Sequence, residues 1–179
     1  HTGTTGEWGY GISIQGSSNI KISNVSIYDM WGDGINLQAL DSSNVVPRNV
    51  IIDNCICSNN RRQGMSVEGG EFLRFTNCIF EKTNGTAPEC GVDIEPWTDL
   101  NIVRDVVFDG CTFKDNDAAG MLIMGDSVSN VKVVNCLFSD NTDSEGQLKL
   151  YSNVKDIIIT NNVFNISTPN YFGGVSLVN

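Results

Sequence analysis

A short phrase recurs along this chain: a glycine, an apolar residue, any residue, and a second apolar residue. Two copies are Gly34-Ile35-Asn36-Leu37 and Gly91-Val92-Asp93-Ile94, and the leading glycines lie about 23 to 30 residues apart. Alternation with a period of two is typical of a β-strand that buries one face. A phrase that returns at this spacing indicates stacked structural repeats. The leading glycines are Gly11, Gly34, Gly64, Gly91, Gly120 and Gly174, and Gly146 begins a copy that is slipped by one residue.

A second phrase follows each copy of the first. It consists of alternating apolar residues, an Asn, a small inward residue, and then an aromatic residue or Ile, as in Phe75-Thr76-Asn77-Cys78-Ile79-Phe80 and Val133-Val134-Asn135-Cys136-Leu137-Phe138. Asn tolerates the left-handed backbone region, so we expect it at a bend. Asn side chains of neighbouring repeats would then stack and hydrogen-bond to one another.

Each repeat is too short for a strand–helix–strand unit that carries both phrases, and no stretch shows the 3.6-residue period of a helix. The sequence therefore predicts an all-β, single-stranded right-handed parallel β-helix of about six to seven coils. A two-sheet sandwich is the main alternative, but it would show hairpin turns and irregular spacing. We expect one β-helix domain over residues 1–179 that is a fragment, or one domain, of a longer chain.

Four of the six cysteines occupy the same position of the second phrase: Cys55, Cys78, Cys111 and Cys136. This placement predicts an internal stack of reduced thiols that act as small apolar side chains. There is no Cys-x-x-Cys spacing, and the single histidine is His1. A zinc site is therefore not expected.

The net charge of the chain restricts the classes of molecule that it can bind. The net charge is −10 and the pI is about 4.3, which argues against a nucleic-acid partner. No apolar run is long enough to span a bilayer. This acidic composition is typical of an extracellular protein surface.

Stacking the coils brings carboxylates together on the outward face of the glycine-led strand. Glu68 and Glu95 would lie on adjacent coils, about 5 Å apart, with Asp93 two residues before Glu95. Mutual repulsion would raise the pKa of at least one of them. We therefore predict Asp93, Glu95 and Glu68 as catalytic residues. The alternative is a solvated row of acids or one that holds a cation.

The turns that enter this face supply groups suited to carbohydrate. Aromatic rings pack against sugar faces, and arginine offers planar donors to carboxylates and hydroxyls. The alternative is that these aromatic residues seal loop edges and that the arginines pair with nearby acids. The predicted substrate-binding residues are Trp31, Asp33, Arg61, Arg62, Gln63 and Trp97.

With these motifs the chain resembles right-handed β-helix proteins of the pectate-lyase-like superfamily, which includes mannuronan C-5-epimerases, polysaccharide lyases and phage tailspike depolymerases. The segments Trp31-Gly32-Asp33-Gly34-Ile35 and Asn59-Asn60-Arg61-Arg62-Gln63-Gly64-Met65 are similar to the corresponding coils of the epimerases. The epimerase motif Asp-Pro-His-Glu would fall near Asn36-Leu37-Gln38-Ala39, and none of its residues is retained. The resemblance implies the fold and a polysaccharide partner more strongly than it implies one reaction.

Two hypotheses follow. The first is an extracellular enzyme that acts on a polysaccharide, either as a glycoside hydrolase or as a lyase or epimerase with Arg62, Lys149 or Tyr151 as the base. The second is a non-catalytic carbohydrate-binding or structural β-helix of a phage tail or adhesin. No cofactor is required by either, although a weaker alternative places Ca²⁺ between Asp33, Asp93 and Glu95. The sequence leaves open whether the chain forms a homo-oligomer such as a trimer.

Overall fold

The computed structural model describes residues 5–40, 43–144, 146–151, 153–167 and 173–178. These residues form a β-solenoid of about six coils, and none of them is helical. The predicted β-helix is therefore confirmed. No described segment forms an apolar helix of membrane-spanning length.

The described strands form three parallel sheets, and each complete coil contributes one strand to each sheet. Sheet A contains, in spatial order, β1 (Ile12–Gln15), β4 (Ile35–Gln38), β7 (Met65–Val67), β10 (Val92–Ile94), β13 (Met121–Ile123), β16 (Leu148–Tyr151) and β19 (Val175–Val178). Sheet B contains β2 (Ser18–Ser23), β5 (Arg48–Asp53), β8 (Gly70–Thr76), β11 (Val103–Asp109), β14 (Val128–Val134) and β17 (Lys155–Thr160). Sheet C contains β3 (Ser26–Tyr28), β6 (Ile56–Ser58), β9 (Ile79–Glu81), β12 (Thr112–Lys114), β15 (Leu137–Ser139) and β18 (Val163–Asn165).

The two sequence phrases correspond to these sheets. The glycine-led phrase becomes a strand of sheet A, and its register is direct: Asp93 of β10 pairs with Ser66 of β7. The second phrase ends a strand of sheet B, turns at its Asn, and continues as a strand of sheet C. Because equivalent residues pair coil upon coil, side chains about 25 residues apart in the chain become neighbours.

The Asn of the second phrase lies at the bend between sheets B and C, as predicted. Asn54 and Asn77 have φ angles of 51° and 53°, in the left-handed region that Asn tolerates. The Asn54 carboxamide also donates to Oδ1 of Asn24 on the preceding coil, at 2.7 Å. At this bend, Asn therefore tolerates the backbone conformation and also forms a side-chain hydrogen bond.

The inward residues of the three sheets form one continuous apolar core. Phe113 stacks between Phe80 and Phe138, with ring centroids 5.5 and 4.6 Å away. All six cysteines are buried and free, as the repeat pattern predicts. Cys57 occupies the slot of Phe80 on the next coil, and the two residues pair directly.

Candidate functional site

The coil register places the predicted carboxylates on one face of sheet A. Glu68 and Glu95 directly follow β7 and β10, and the Glu95 amide donates to the carbonyl of Val67 on the preceding coil at 3.2 Å. Glu68, Asp93 and Glu95 line one cavity of about 250 Å³, together with Trp97. The predicted grouping of these acids is therefore confirmed, whereas their catalytic roles stay predictions.

A second cavity of about 190 Å³ adjoins the first. Glu68 and Trp97 line both cavities, and Gln15 and Gln38 line the second. The Trp97 side chain is largely exposed. We call the two cavities together the acidic cleft, and Glu68 lies where they meet.

Arg62 is the cation of the acidic cleft, and acids surround it. Its Nη1 lies 3.1 Å from Oδ2 of Asp33, and its Nε lies 3.5 Å from Oε2 of Glu7. Burial lowers the pKa of Arg62, but the nearby carboxylates, Asp33 foremost, outweigh burial and raise it. The guanidinium therefore stays charged, and its charge is already shared among carboxylates of the protein.

The pKa values of three acids in this region are raised, and two of them, Asp93 and Glu68, belong to the group for which the sequence predicts at least one raised pKa. The pKa of Asp33 rises from 3.8 to about 6, that of Asp93 rises well above its ordinary value, and that of Glu68 also rises. Burial is the largest cause in each case. Repulsion from Glu95 is the second cause for Asp93. Repulsion between the acids therefore contributes to the raised pKa of Asp93, as predicted, but burial contributes more.

The sequence suggests an open surface along the outward column of sheet A, but the structure covers most of this column. Asn36, Ser66 and Asp93 point away from the apolar core, yet each is almost completely buried. Loop residues cover the column: Arg62 donates toward Ser66 Oγ at 3.4 Å, and Gln63 donates to Asp93. At the start of the column, Ser13 of β1 is exposed.

Arg61 and Gln63 are predicted substrate-binding residues that the structure places beneath the surface. Arg61 is 1% exposed, and its Nη1 donates to the carbonyl of Gly6 at 2.6 Å. Gln63 is fully buried and bridges two coils: its Nε2 donates to Asp93 Oδ2, and its Oε1 accepts from the Cys90 amide, both at 2.9 Å. Neither side chain lines the cleft, and the predicted binding role of both residues stays a prediction.

Trp31 and Asp33 also support the cleft from beside it. The guanidinium of Arg61 lies 4.4 Å from the centroid of the Trp31 ring, and the indole N–H donates to the carbonyl of Thr5 at 3.2 Å. Asp33 is fully buried and accepts from Ser66 Oγ at 2.8 Å. Of the six predicted binding residues, Arg62 and Trp97 line the cleft.

Tyr10 belongs to the surroundings of the site but was not among the predicted site residues. Its pKa rises to about 12, first through burial and then through the charges of Glu68 and Asp33. Tyr10 directly precedes a leading glycine, as Asp33 and Gln63 do. That shared position in the repeat was the signal in the sequence that could have identified it.

Within the described ranges, no three His, Cys, Asp or Glu side chains are grouped as a metal ion requires. Calcium held by Asp33, Asp93 and Glu95 stays a prediction.

The comparisons agree with this fold. The chain belongs to the family described as right-handed β-helix region, whose model matches residues 2–105 and 100–178. The expected right-handed parallel β-helix is thereby confirmed. Two solved structures share it: the A-module of the mannuronan C-5 epimerase AlgE4 from Azotobacter vinelandii and the tailspike protein gp49 of the Acinetobacter baumannii bacteriophage Fri1, a capsular polysaccharide depolymerase.

The similarity to both structures is one of fold. The epimerase module has a TM-score of 0.61 and 13% identity, with 95% of this chain and 48% of that chain covered. The tailspike has a TM-score of 0.67 and 21% identity, with 95% of this chain and 31% of that chain covered.

Two relatives come from Bacillus subtilis (strain 168). The uncharacterized protein YclG is 31% identical over 80% of this chain and 26% of its own length. The SPbeta prophage-derived uncharacterized protein YorA is 30% identical over 63% of this chain and 21% of its own length. The chain thus spans about a quarter of the length of these relatives.

Proposed function

We propose that this chain is a glycoside hydrolase that cleaves a polysaccharide bound along the acidic cleft. The observation that carries the proposal is the place of Glu68, whose side chain lines both adjoining cavities. A sugar in each cavity would hold the glycosidic bond over this carboxyl group. Trp97 lines the same junction and offers its exposed ring to a sugar face.

Glu68 is the general acid in this proposal. Burial raises its pKa, which keeps a proton available, and its Oε2 has no hydrogen-bond partner in the described part of the chain. The proton passes to the glycosidic oxygen as the bond from that oxygen to the anomeric carbon breaks. Glu95, which is half-buried, attacks the anomeric carbon from the other side.

The spacing of the two acids favours a retaining mechanism. Adjacent coils lie about 4.8 Å apart, and retaining glycosidases hold their two carboxyl groups about 5–5.5 Å apart. Water then releases the sugar from Glu95, while Glu68 takes the proton of that water. Asp93, which is buried and accepts a hydrogen bond from Gln63, orients Gln63 and the turn that carries Arg62.

A lyase or epimerase that acts on uronic acids fits the cleft less well. Such an enzyme must neutralise the carboxylate of its substrate before a base removes the proton beside it. Arg62 is already paired with Asp33 and lies near Glu7. A uronate that entered the cleft would therefore meet more negative than positive charge.

The test uses the reducing ends released from a panel of neutral and acidic polysaccharides. Glu68→Gln and Glu95→Gln should each lower kcat by about 10²- to 10⁴-fold. The matched control is Glu81→Gln on β9 of sheet C, away from the cleft, which should keep full activity. NMR of the first product should show that the anomeric configuration is retained.

Three results would contradict this proposal. Undiminished release of reducing ends by both cleft variants would remove the assigned roles. A product with the ultraviolet absorbance of an unsaturated uronate would indicate a lyase. Binding without any product would favour the second candidate, a carbohydrate-binding β-helix, which the exposed rings of Trp8 and Trp97 support.

We further propose an extracellular or virion-surface location. Polysaccharide substrates of such hydrolases lie mainly outside the cell. By their names, two of the similar proteins belong to a phage and a prophage. Secretion of the full-length protein, measured by fractionation, tests this location.

A further inference from the structure

Residues at the same position of successive coils form a column, and in one column of sheet B a single residue differs in type from the others. Each strand of this sheet has one residue in the left-handed region, and five of the six are Asn or Asp. The sixth is Phe72 of β8, with a φ angle of 57°. A bulky side chain is disfavoured there, whereas Asn and Asp are tolerated. The column consists of Asn19, Asn49, Phe72, Asp105, Asn130 and Asp156.

The Phe72 ring is also half exposed, so burial in the core does not compensate for its backbone conformation. The guanidinium of Arg48 lies 5.4 Å from the ring centroid. Phe72 interrupts a row of hydrogen-bonded side chains in which Asn49 donates to Asn19 at 2.7 Å. Phe72 is strained and exposed where an Asn would form a hydrogen bond along the column. This choice of residue indicates a functional reason.

Phe72 lines a groove of about 410 Å³. This groove is on sheet B and shares no lining residue with the acidic cleft. We call it the basic groove, and its main lining residues are Asn49, Phe72, Arg74, Asp105, Asn130 and Lys132.

The charge of the basic groove is opposite to that of the protein. The net charge is −10, with 11 Lys and Arg, yet every strand of sheet B carries one of them. Arg48 and Arg104 form ion pairs with the buried Glu71. The six cations of sheet B are Lys21, Arg48, Arg74, Arg104, Lys132 and Lys155.

Two cations of the groove remain open to a ligand. Arg74 and Lys132 are exposed and form no ion pair with any residue that the structure describes. They lie in one row, since Arg74 pairs with Val107 and Val107 pairs with Lys132. Two coil spacings separate them, about 10 Å, which is comparable with the length of a disaccharide.

We propose that the basic groove binds an acidic polysaccharide, with one sugar ring against Phe72 and carboxylates of the ligand on Arg74 and Lys132. The aromatic face suits a pyranose ring, and the two cations suit negative charges spaced along an extended chain. A nucleic acid fits less well, because its affinity depends on the number of phosphates that Lys and Arg neutralise, and this groove offers two open cations.

The proposal for the basic groove does not depend on the hydrolase proposal, and separate variants test the two. Phe72→Asn restores the residue type of the column, so it should fold at least as well as the parent while it loses the aromatic face. Arg74→Gln with Lys132→Gln removes the open charges. Lys155→Gln, on the same sheet but outside the groove, is the matched control for a general loss of positive charge.

The assay is affinity electrophoresis in gels that contain polygalacturonate, alginate or hyaluronan, with dextran and galactan as neutral counterparts. We expect retardation in at least one acidic gel and none in the neutral gels. Phe72→Asn and the double variant should each weaken retardation at least about tenfold. Lys155→Gln should stay within about twofold of the parent, and Glu95→Gln should bind as the parent does.

Retardation that is absent from all three acidic gels overturns the proposal. Equal binding by Phe72→Asn and the parent overturns the role of the ring, and equal loss in Lys155→Gln reduces the effect to general charge. Binding to single-stranded DNA or to vesicles that contain phosphatidylserine, without binding to any acidic polysaccharide, assigns the groove to another class of ligand and also overturns the proposal.

Discussion

Replacing Asp33 with Asn should stabilise this protein above neutral pH. The pKa of Asp33 rises from 3.8 to about 6, mainly through burial, and one pKa unit corresponds to about 1.4 kcal/mol. Ionising Asp33 in the folded protein therefore costs about 3 kcal/mol more than ionising it in the unfolded chain. Asn keeps the acceptor for Ser66 and Arg62 without the charge.

The sign of the effect sets the pH window. Below about pH 3.8 Asp33 is protonated in both states, so the parent and Asp33→Asn should have similar free energies of unfolding. As the pH rises from 4 to 6, the unfolded chain loses this proton first, and the parent loses stability relative to the variant. The full difference of about 3 kcal/mol, favouring Asn, should be present at pH 8.

Urea unfolding of both proteins at pH 4 and pH 8 measures this difference, because the other titrating groups largely cancel between them. The reasoning fails if Asp33→Asn is less stable than the parent at pH 8. That result would mean that the attraction between Asp33 and Arg62 exceeds the cost of burying the carboxylate. A loss of activity with a gain in stability would indicate that the buried charge serves function.

Two further predictions concern the core. Phe113→Ala should lower the free energy of unfolding by about 4–5 kcal/mol and Phe164→Ala by about half as much. Among the described residues, Phe113 stacks on rings from both neighbouring coils, whereas Phe164 stacks on one. Equal losses in urea unfolding would contradict this. All six thiols are buried and free, so a thiol reagent should react with six groups after denaturation and with almost none before it.

The sequence predicts the coils and their register because both follow from local rules. The leading glycines and the Asn bends mark each coil, and the alternation of apolar residues fixes which side chains face the core. Once Glu68 and Glu95 take equivalent positions on adjacent coils, their proximity follows directly. The fold and the grouping of the acids could therefore be derived from spacing alone.

The loop side chains that cover the site could not be placed from the repeat spacing. Arg61 and Arg62 are neighbours in the chain, yet one guanidinium packs under Trp31 and the other enters the cleft. Their directions depend on turn geometry and on contacts with residues such as Gly6 and Glu7 from a distant part of the chain. A repeat pattern contains no information on such contacts, because the turns differ from coil to coil.

The repeat also indicates candidate functional residues, since the other residues of a column show which residue type suits that position. Phe72 stands in a column of Asn and Asp, and Asp93 stands in a column with Ser66 and Leu122. Both choices oppose stability, one through backbone strain and the other through a buried carboxyl group. Each also lines one of the cavities described above, Phe72 on sheet B and Asp93 on sheet A. Because a solenoid distributes its stability over neighbouring coils, the central coils can carry such residues, and the columns they interrupt are where ligand contacts should be sought first.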